Sequence, residues 1–364
     1  MLYFRSLPEY SLLFRMMSSV FLTTTKPFEV QFKHRDFTGS SELPFRKSRD
    51  GINFLFDHYY QQKGRKLQVW LPSLFCWEIV NEFNHNQISV NWYPVDKHFR
   101  PDWEFFNTNK SADTVDVFFT VSFFGIPSDI VNARKFAKEK SAVLFIDETH
   151  STLPSVKPLF NEFVFLSWYK QFPVPNGAVV LCDPKLNQEV MEEFAQLQAE
   201  GSIVHDLIWI LKSIYIKVSK RMPFLPNTYT DEIGETPECA VHVKKGMSAL
   251  SSSTILTVLR KSEGLKHTYA YYKNEVEKHC AGMSFEFINF NESNSHLFGI
   301  RFNSLDDVEK AYDLLVSNKI PVVTWPQKKY ITMIPDSMKA GVQNAIDTTL
   351  FLCAFYNSLG SETK

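Results

Sequence analysis

Through the middle of the chain, short apolar runs alternate with stretches whose apolar residues recur at helical spacing. The spacing predicts a helix over 50–62, then a strand over 67–71 that stops at Pro72. A helix over 76–83 and a strand over 88–95 follow. A long apolar run over 115–124 ends at Gly125, and Ser128 stands where a cap would open a helix to about residue 140. Buried strands are predicted over 142–146, 163–168 and 178–182. Strands alternating with helices imply an α/β domain whose mainly parallel sheet is covered on both faces.

Beyond this the pattern changes. Residues 186–222 read as largely helical and 223–238 as loop. A helix is expected over 252–280, with strands over 285–290 and 297–302. Ser304 opens another helix, with Asp306 and Asp307 in the first turn, where the helix dipole favours acids. Strands over 322–325 and 330–334 and a closing helix over 341–359 complete a small α+β unit. Residues 1–44 lack clean periodicity and read as an arm. The expected division is therefore an arm (1–44), a large domain (45–243) and a small C-terminal domain (244–364), which suits a chain of 364 residues.

Composition acts mainly by exclusion. A net charge of -1 offers no basic excess for a phosphate backbone, so nucleic acid is not an expected partner. Cys76, Cys182, Cys239, Cys280 and Cys353 are scattered without a CxxC pair, which fits a reduced, cytoplasmic chain rather than a disulfide or zinc framework. No apolar run is long enough to span a bilayer; the stretch 12–21, interrupted by Arg15 and without a clear small-residue cleavage site after it, reads as part of the arm, with a targeting peptide as the rival reading. The sequence holds no GxxxxGK[ST], GxGxxG or HExxH, and its 10 histidines show no metal spacing, so no metal is expected. The 33 phenylalanines read as core filling.

In parallel α/β sheets ligands sit at the carboxyl ends of the strands. The reactive residues fall there: Pro72-Ser73, Phe124-Gly125, Asp147, and 167–170. Phe145-Ile146-Asp147-Glu148-Thr149-His150 ends a strand in an acid, with a histidine three residues on. Alone, that acid reads equally as a turn residue or a cap. The next strand ends Leu166-Ser167-Trp168-Tyr169-Lys170, and an isolated lysine there would be a solvated loop residue. Together, an Asp and a Lys at neighbouring strand ends are what pyridoxal 5′-phosphate (PLP) chemistry needs. The cofactor takes an amine, which only lysine supplies. Its pyridine nitrogen keeps a proton against a buried carboxylate. Its phosphate takes backbone N–H groups at a helix N-terminus and nearby hydroxyls. Asp147 and Glu148, as strand neighbours, point to opposite faces and make a poor acid–base pair. Cys76 reads as a structural cysteine before a nucleophile. Arg301 reads either as a clamp for a substrate carboxylate or as an ion pair, and Trp325 as packing.

Taken in order, these stretches resemble fold-type I PLP enzymes, most closely the DegT/DnrJ/EryC1/StrS sugar aminotransferases. Ser167-Trp168-Tyr169-Lys170-Gln171-Phe172-Pro173-Val174-Pro175-Asn176-Gly177 is similar to that family's Ser-x-x-Lys segment, in the subgroup where Pro-Val-Pro-Asp-Gly follows. Residues 145–151 resemble its Asp-x-x-His stretch, and Leu71-Pro72-Ser73-Leu74-Phe75-Cys76 its strand-to-helix segment beside the cofactor. Phe123-Phe124-Gly125-Ile126-Pro127-Ser128-Asp129 is similar to its Phe-Gly-x-Pro-x-Asp element. Gly246-Met247-Ser248-Ala249-Leu250-Ser251 and Val323-Thr324-Trp325 resemble small-domain landmarks. The resemblance spans about 43–335, and order and spacing together carry it.

The resemblance implies a seven-stranded large-domain sheet, a bound PLP and a homodimer with its sites at the subunit interface. It implies Lys170 as the Schiff-base lysine, Asp147 at the pyridinium nitrogen, and His150 near the ring or its 3-hydroxyl. Ser167 would hold the phosphate, and Cys76 falls at the ring-stacking position. Lys47-Ser48-Arg49-Asp50-Gly51 stands in the place of the family's phosphate cradle, with the Asp50 and Gly51 amides as candidates. The implied reaction moves an amino group from an amino acid, glutamate being plausible, to a keto-sugar, usually nucleotide-linked, in polysaccharide or amino-sugar synthesis. Departures are clear: Ser48 replaces the cradle's glycine, Asp50 puts a carboxylate near a phosphate, Cys76 replaces an aromatic, and Asn176 replaces an aspartate. The segment Lys266-His267-Thr268-Tyr269 does not reproduce the family's Arg/Asn-rich helix. Two rivals follow. A PLP-dependent sugar dehydratase is disfavoured by Lys170, since the resemblance implies a histidine there. A non-catalytic binding protein on the same fold is the other.

Overall fold

The computed structural model describes residues 40–109, 114–172, 174–185, 187–197, 203–219, 246–248, 251, 255, 265–288, 297–320, 322–324 and 334–353. The loop expected over 223–238, Trp325, most of the arm, most of 252–264 and all but the end of the strand expected over 330–334 lie outside them.

Seven strands build the larger sheet: β1 (Ser41–Phe45), β2 (Leu67–Pro72), β3 (Ile88–Tyr93), β4 (Val117–Val121), β5 (Val143–Asp147), β6 (Glu162–Ser167) and β7 (Ala178–Cys182). Their order is β1-β7-β6-β5-β4-β2-β3. The neighbours from β3 to β6 are parallel, while β7 is antiparallel to both β6 and β1. Only β7 therefore runs against the rest, and the expected mainly parallel sheet is present. The reversal has a simple cause: the link 168–177 is too short for the crossover that a parallel neighbour requires.

Among the helices that follow, α1 (Ser48–Lys63) lies on one face of this sheet, with α2 (Trp77–Asn81) after β2. Ile52, Leu55, Phe56 and Tyr59 of α1 pack on Leu43, Phe45, Phe119, Phe145, Phe163 and Phe165. The phenylalanines interlock rather than merely fill space: Phe56 stacks on Phe145 at 5.8 Å, and Phe119 meets Phe145 edge-on at 5.0 Å. At Gly51 an added Cβ would come within 2.5 Å of Val180 Cγ2, so the absence of a side chain lets α1 lie close on the β1–β7 edge. The other face carries α3 (Trp103–Thr108) and α4 (Ile130–Lys140), with Phe106 and Phe136 against Phe118. Next come α5 (Gln188–Gln196) and α6 (Ile203–Ser219), the latter burying Ile210 in the same core.

The second sheet is antiparallel throughout, in the order β10-β11-β9-β8, from β8 (Phe285–Ile288), β9 (Leu297–Phe302), β10 (Val322–Thr324) and β11 (Thr349–Cys353). With it go α7 (Leu265–His279), α8 (Leu305–Ser317) and α9 (Asp336–Asp347). Ser304 caps α8 as expected, its hydroxyl accepting the Asp307 amide at 3.2 Å.

Several expectations are corrected. The closing helix over 341–359 ends at Asp347, where Thr348 Oγ1 donates to Asn344 O at 2.7 Å. The mostly apolar residues after it form β11, whose backbone is claimed by β9 and β10. The cap of α4 is Asp129, not Ser128: its Oδ1 accepts the Asn132 amide and its Oδ2 accepts Trp103 Nε1. Arg301 on β9 donates to Lys97 O, pairs with Glu286 at 3.4 Å and lies over the Phe99 ring at 5.1 Å. Of its two expected readings the ion pair is the one present, and Arg301 ties the second sheet to the 96–100 loop.

Candidate active site

β5 and β6 are parallel neighbours in a register that pairs Asp147 with Phe165, so Asp147 and Ser167 finish at one rim of the sheet. Backbone bonds continue the ladders past Asp147: Ser122 N donates to Asp147 O at 2.8 Å and Glu148 N to Phe165 O at 2.9 Å. The Asp147 carboxylate is buried, and its Oδ1 accepts the Thr149 amide at 2.9 Å.

After Ser167 the chain makes one tight turn, Trp168–Lys170. Trp168 anchors it, fully buried and donating from Nε1 to Thr152 O at 3.0 Å. Tyr169 N donates to Gly177 O at 3.1 Å. The turn brings half-buried Lys170 back over the end of β5, where Nζ donates to Thr149 Oγ1 at 3.2 Å. Thr149 thus holds Asp147 through its amide and Lys170 through its hydroxyl. Gln171 steadies the same loop, donating from Nε2 to Ser151 O at 2.6 Å. Nothing in the sequence singles out Thr149 except its place between the Asp and His of Asp-x-x-His.

The other candidates are distributed around this corner. Ser167 is fully buried, and its hydroxyl has no hydrogen-bond partner among the described residues. His150 turns towards the Phe123–Gly125 turn: Phe124 N donates to its Nδ1 at 3.3 Å, and the rings stack at 5.5 Å. Phe124, with φ +56°, stacks in turn on Phe351 of β11 at 3.8 Å. Cys76, half-buried, precedes α2 at the end of β2, two strands from β5. Asp50 and Gly51 lie in the first turn of α1, at the same rim beyond β7. The Asp50 carboxylate folds back and accepts the Lys47 amide at 3.0 Å, while the Asp50 amide donates to Lys47 O at 3.1 Å.

Burial lifts the Asp50 carboxyl to about 6, against the lowering pull of the Lys47 amide and of Arg49, Lys47 and Arg46. Glu148, whose side chain is fully buried, is lifted to about 7 chiefly by desolvation, with the Asp147 charge adding to it. The Glu148 carboxyl accepts the Ser155 amide at 2.7 Å and the Ser155 hydroxyl. Among the described residues, no group of three His, Cys, Asp or Glu could hold a metal ion, and no helix is long and apolar enough to cross a membrane. The arrangement therefore offers a primary amine, a buried carboxylate and a buried hydroxyl on three adjacent structural supports.

No family model matches the sequence, and neither does any curated protein. Solved structures do match. Spr1654 of Streptococcus pneumoniae, assigned as a sugar aminotransferase and solved in its PLP form, superposes with a TM-score of 0.67 at 13% identity over 99% of this chain and 94% of that one. A DegT DnrJ EryC1 StrS aminotransferase from Brucella abortus gives 0.61 at 12% identity, over 94% and 90%. An E. coli GDP-4-keto-6-deoxy-D-mannose-3-dehydratase with bound hydrated PLP gives 0.63 at 14% identity, over 96% and 94%. At such identities the likeness speaks for fold alone, and the chain accordingly has the α/β fold of fold-type I PLP-dependent sugar aminotransferases.

Proposed function

We propose that the protein is a PLP-dependent aminotransferase that moves an amino group from an amino acid, glutamate, to a nucleotide-linked keto-sugar in amino-sugar or polysaccharide synthesis. The observation that carries this reading is the Asp147–Thr149–Lys170 corner, which places an amine and a buried carboxylate at adjoining strand ends in this fold. The residues fit the cofactor on a further point: Ser167 presents a buried hydroxyl with no partner among the described residues at the same rim.

When bound, PLP supplies the aldehyde that takes an amine and the ring that accepts electron density. Lys170 Nζ supplies the attachment amine and then, as neutral amine, removes the Cα proton of the amino donor. The Asp147 carboxylate, fixed by the Thr149 amide, holds a proton on the pyridine nitrogen. Thr149 Oγ1 keeps Nζ at the rim while it is free. Ser167 Oγ and the Gly51 amide would bind the phosphate; the Asp50 amide, the other candidate, is taken up by Lys47 O. Cys76 and His150 would line the ring when it is bound. The division into an arm (1–44), a large unit (45–243) and a small unit (244–364), a homodimeric state and a cytoplasmic site belong to the same proposal, with one correction, that residues 41–44 of the arm lie in β1 and so join the large unit.

The dehydratase reading draws on one of the structural neighbours, but Lys170 stands where the resemblance implies histidine for that reaction. The visible spectrum of the protein with PLP separates the remaining readings. An absorption band that needs Lys170, is absent from Lys170→Ala and is lost on adding glutamate is the expected result. Folded wild-type protein that takes up no PLP would instead establish a binding protein without this chemistry.

A further inference from the structure

The first turn of α1 combines features that attract an anion with one that repels it. The helix is 16 residues long, so its N-terminus carries the full partial positive charge of the dipole. Arg46, Lys47 and Arg49 add three cations within four positions. A second feature points to the same place. In the sheet, Ser167 pairs with Ala178, which pairs with Phe45, so Ser167 lies in the row where β1 ends and α1 begins. Phe163 and Phe165 of β6 pack against α1, and the two-residue alternation puts Ser167 on that same face. Its hydroxyl is fully buried and has no partner among the described residues. Into this anion-binding corner the chain places Asp50, whose carboxylate accepts the Lys47 amide at 3.0 Å.

We propose that Asp50 is a built-in competitor for the cofactor phosphate: its carboxylate sits in the first turn of α1, folded onto the Lys47 amide beside the helix amides that the phosphate ester needs, and its charge opposes tight binding of the ester. This rests on the function proposed above and goes beyond it, because it assigns a determinant of cofactor affinity to a residue outside the chemical corner. The charged groups around Asp50 favour the competition only in part. Arg46, Lys47 and Arg49 stabilise its charge, yet Arg49 is paired with Glu82 and Arg46 faces Asp206 on α6. Burial outweighs them and keeps the carboxyl at about 6, so the competitor loses its charge just below neutrality. The competition from Asp50 therefore fades below that pH and grows as Asp50 ionises.

The test uses the full chain and two probes that cannot react with Lys170, pyridoxine 5′-phosphate and pyridoxine. The dissociation constant of pyridoxine divided by that of its phosphate ester isolates what the phosphate contributes. At pH 8 that ratio is expected to be about tenfold larger in Asp50→Asn than in the wild type, from the loss of one like charge at close range. Asp50→Ser, which also caps, should behave the same way. At pH 5.5 the wild-type ratio should approach that of the variants; the phosphate's own titration affects all three proteins alike. Equal ratios at pH 8, or a smaller ratio in both variants, overturns the proposal and leaves Asp50 as a helix cap. If no protein distinguishes the ester from pyridoxine while the Lys170-dependent PLP band is present, the helix end is not the phosphate site and the proposal fails although the aminotransferase reading stands. Loss of the band itself strikes the aminotransferase reading.

Discussion

Two corners of one rim were built by different rules. At the β5–β6 corner the sheet register does the positioning: Asp147 and Ser167 arrive side by side because their strands are parallel neighbours, and Thr149 then binds both Asp147 and Lys170. At the α1 corner position comes from packing, since α1 can approach β7 only through Gly51, and the helix end is closed by its own acid. The first corner gathers groups of opposite chemical character that want a ligand between them. The second is satisfied without one. The reactive end of the proposed site is thus prearranged, whereas the anchoring end carries an opposing charge.

Lys170→Ala should break the first corner most completely. Turnover with glutamate and a keto-sugar acceptor is expected to fall at least about a thousandfold, as removal of a general base that is also the attachment amine requires. Activity near that of the wild type would refute the chemistry assigned to this corner. Asp147→Asn keeps the shape and the Thr149 contact but removes the charge, and about a hundredfold loss of the same rate is expected. Its thermal unfolding should be little changed, which separates a chemical from a structural role.

At the second corner, Gly51→Ala is expected to destabilise the fold by about 1–3 kcal/mol, because the new Cβ would overlap Val180 and the backbone of a packed helix has to shift. Denaturant titration reads this directly; a neutral result would mean that α1 is free to rise off the β1–β7 edge. The smallest effect sharpens the comparison through pH. Glu148 is lifted to about 7, so the folded state holds its proton more tightly than the unfolded state does. Its contribution is therefore neutral below about pH 4 and becomes increasingly destabilising as pH rises towards 7. Glu148→Gln should remove that term, making the variant gain on the wild type by on the order of 1–3 kcal/mol between pH 4 and pH 8. A constant difference across that range would show that Ser155 satisfies the carboxylate fully.

The chemical corner was the more legible of the two in sequence. Strands such as Val143–Asp147 and Ala178–Cys182 are buried on both faces, so they appear as unbroken apolar runs with reactive residues at their ends. Lys170 and Asp147 follow from that placement. The remainder depends on partners. Ser41-Glu42-Leu43-Pro44-Phe45 carries little strand character and becomes β1 because β7 offers it an edge. Trp103–Thr108 is too short for periodicity to show, and Thr349–Cys353 could serve a helix or a strand until β9 and β10 claim it. The self-capping by Asp50 was visible only as an awkward charge. Which oxygen met which amide needed coordinates.

The ring column His150–Phe124–Phe351 has a mechanical consequence. Phe124 is pinned in a left-handed backbone conformation with its amide on His150 and its face on Phe351, so it has little freedom to adjust by itself. A tilt of β11 would reach the imidazole as torque through two stacked rings. The second sheet thereby meets the segment that carries His150 through ring faces, so a cavity at Phe351 would loosen the imidazole's support.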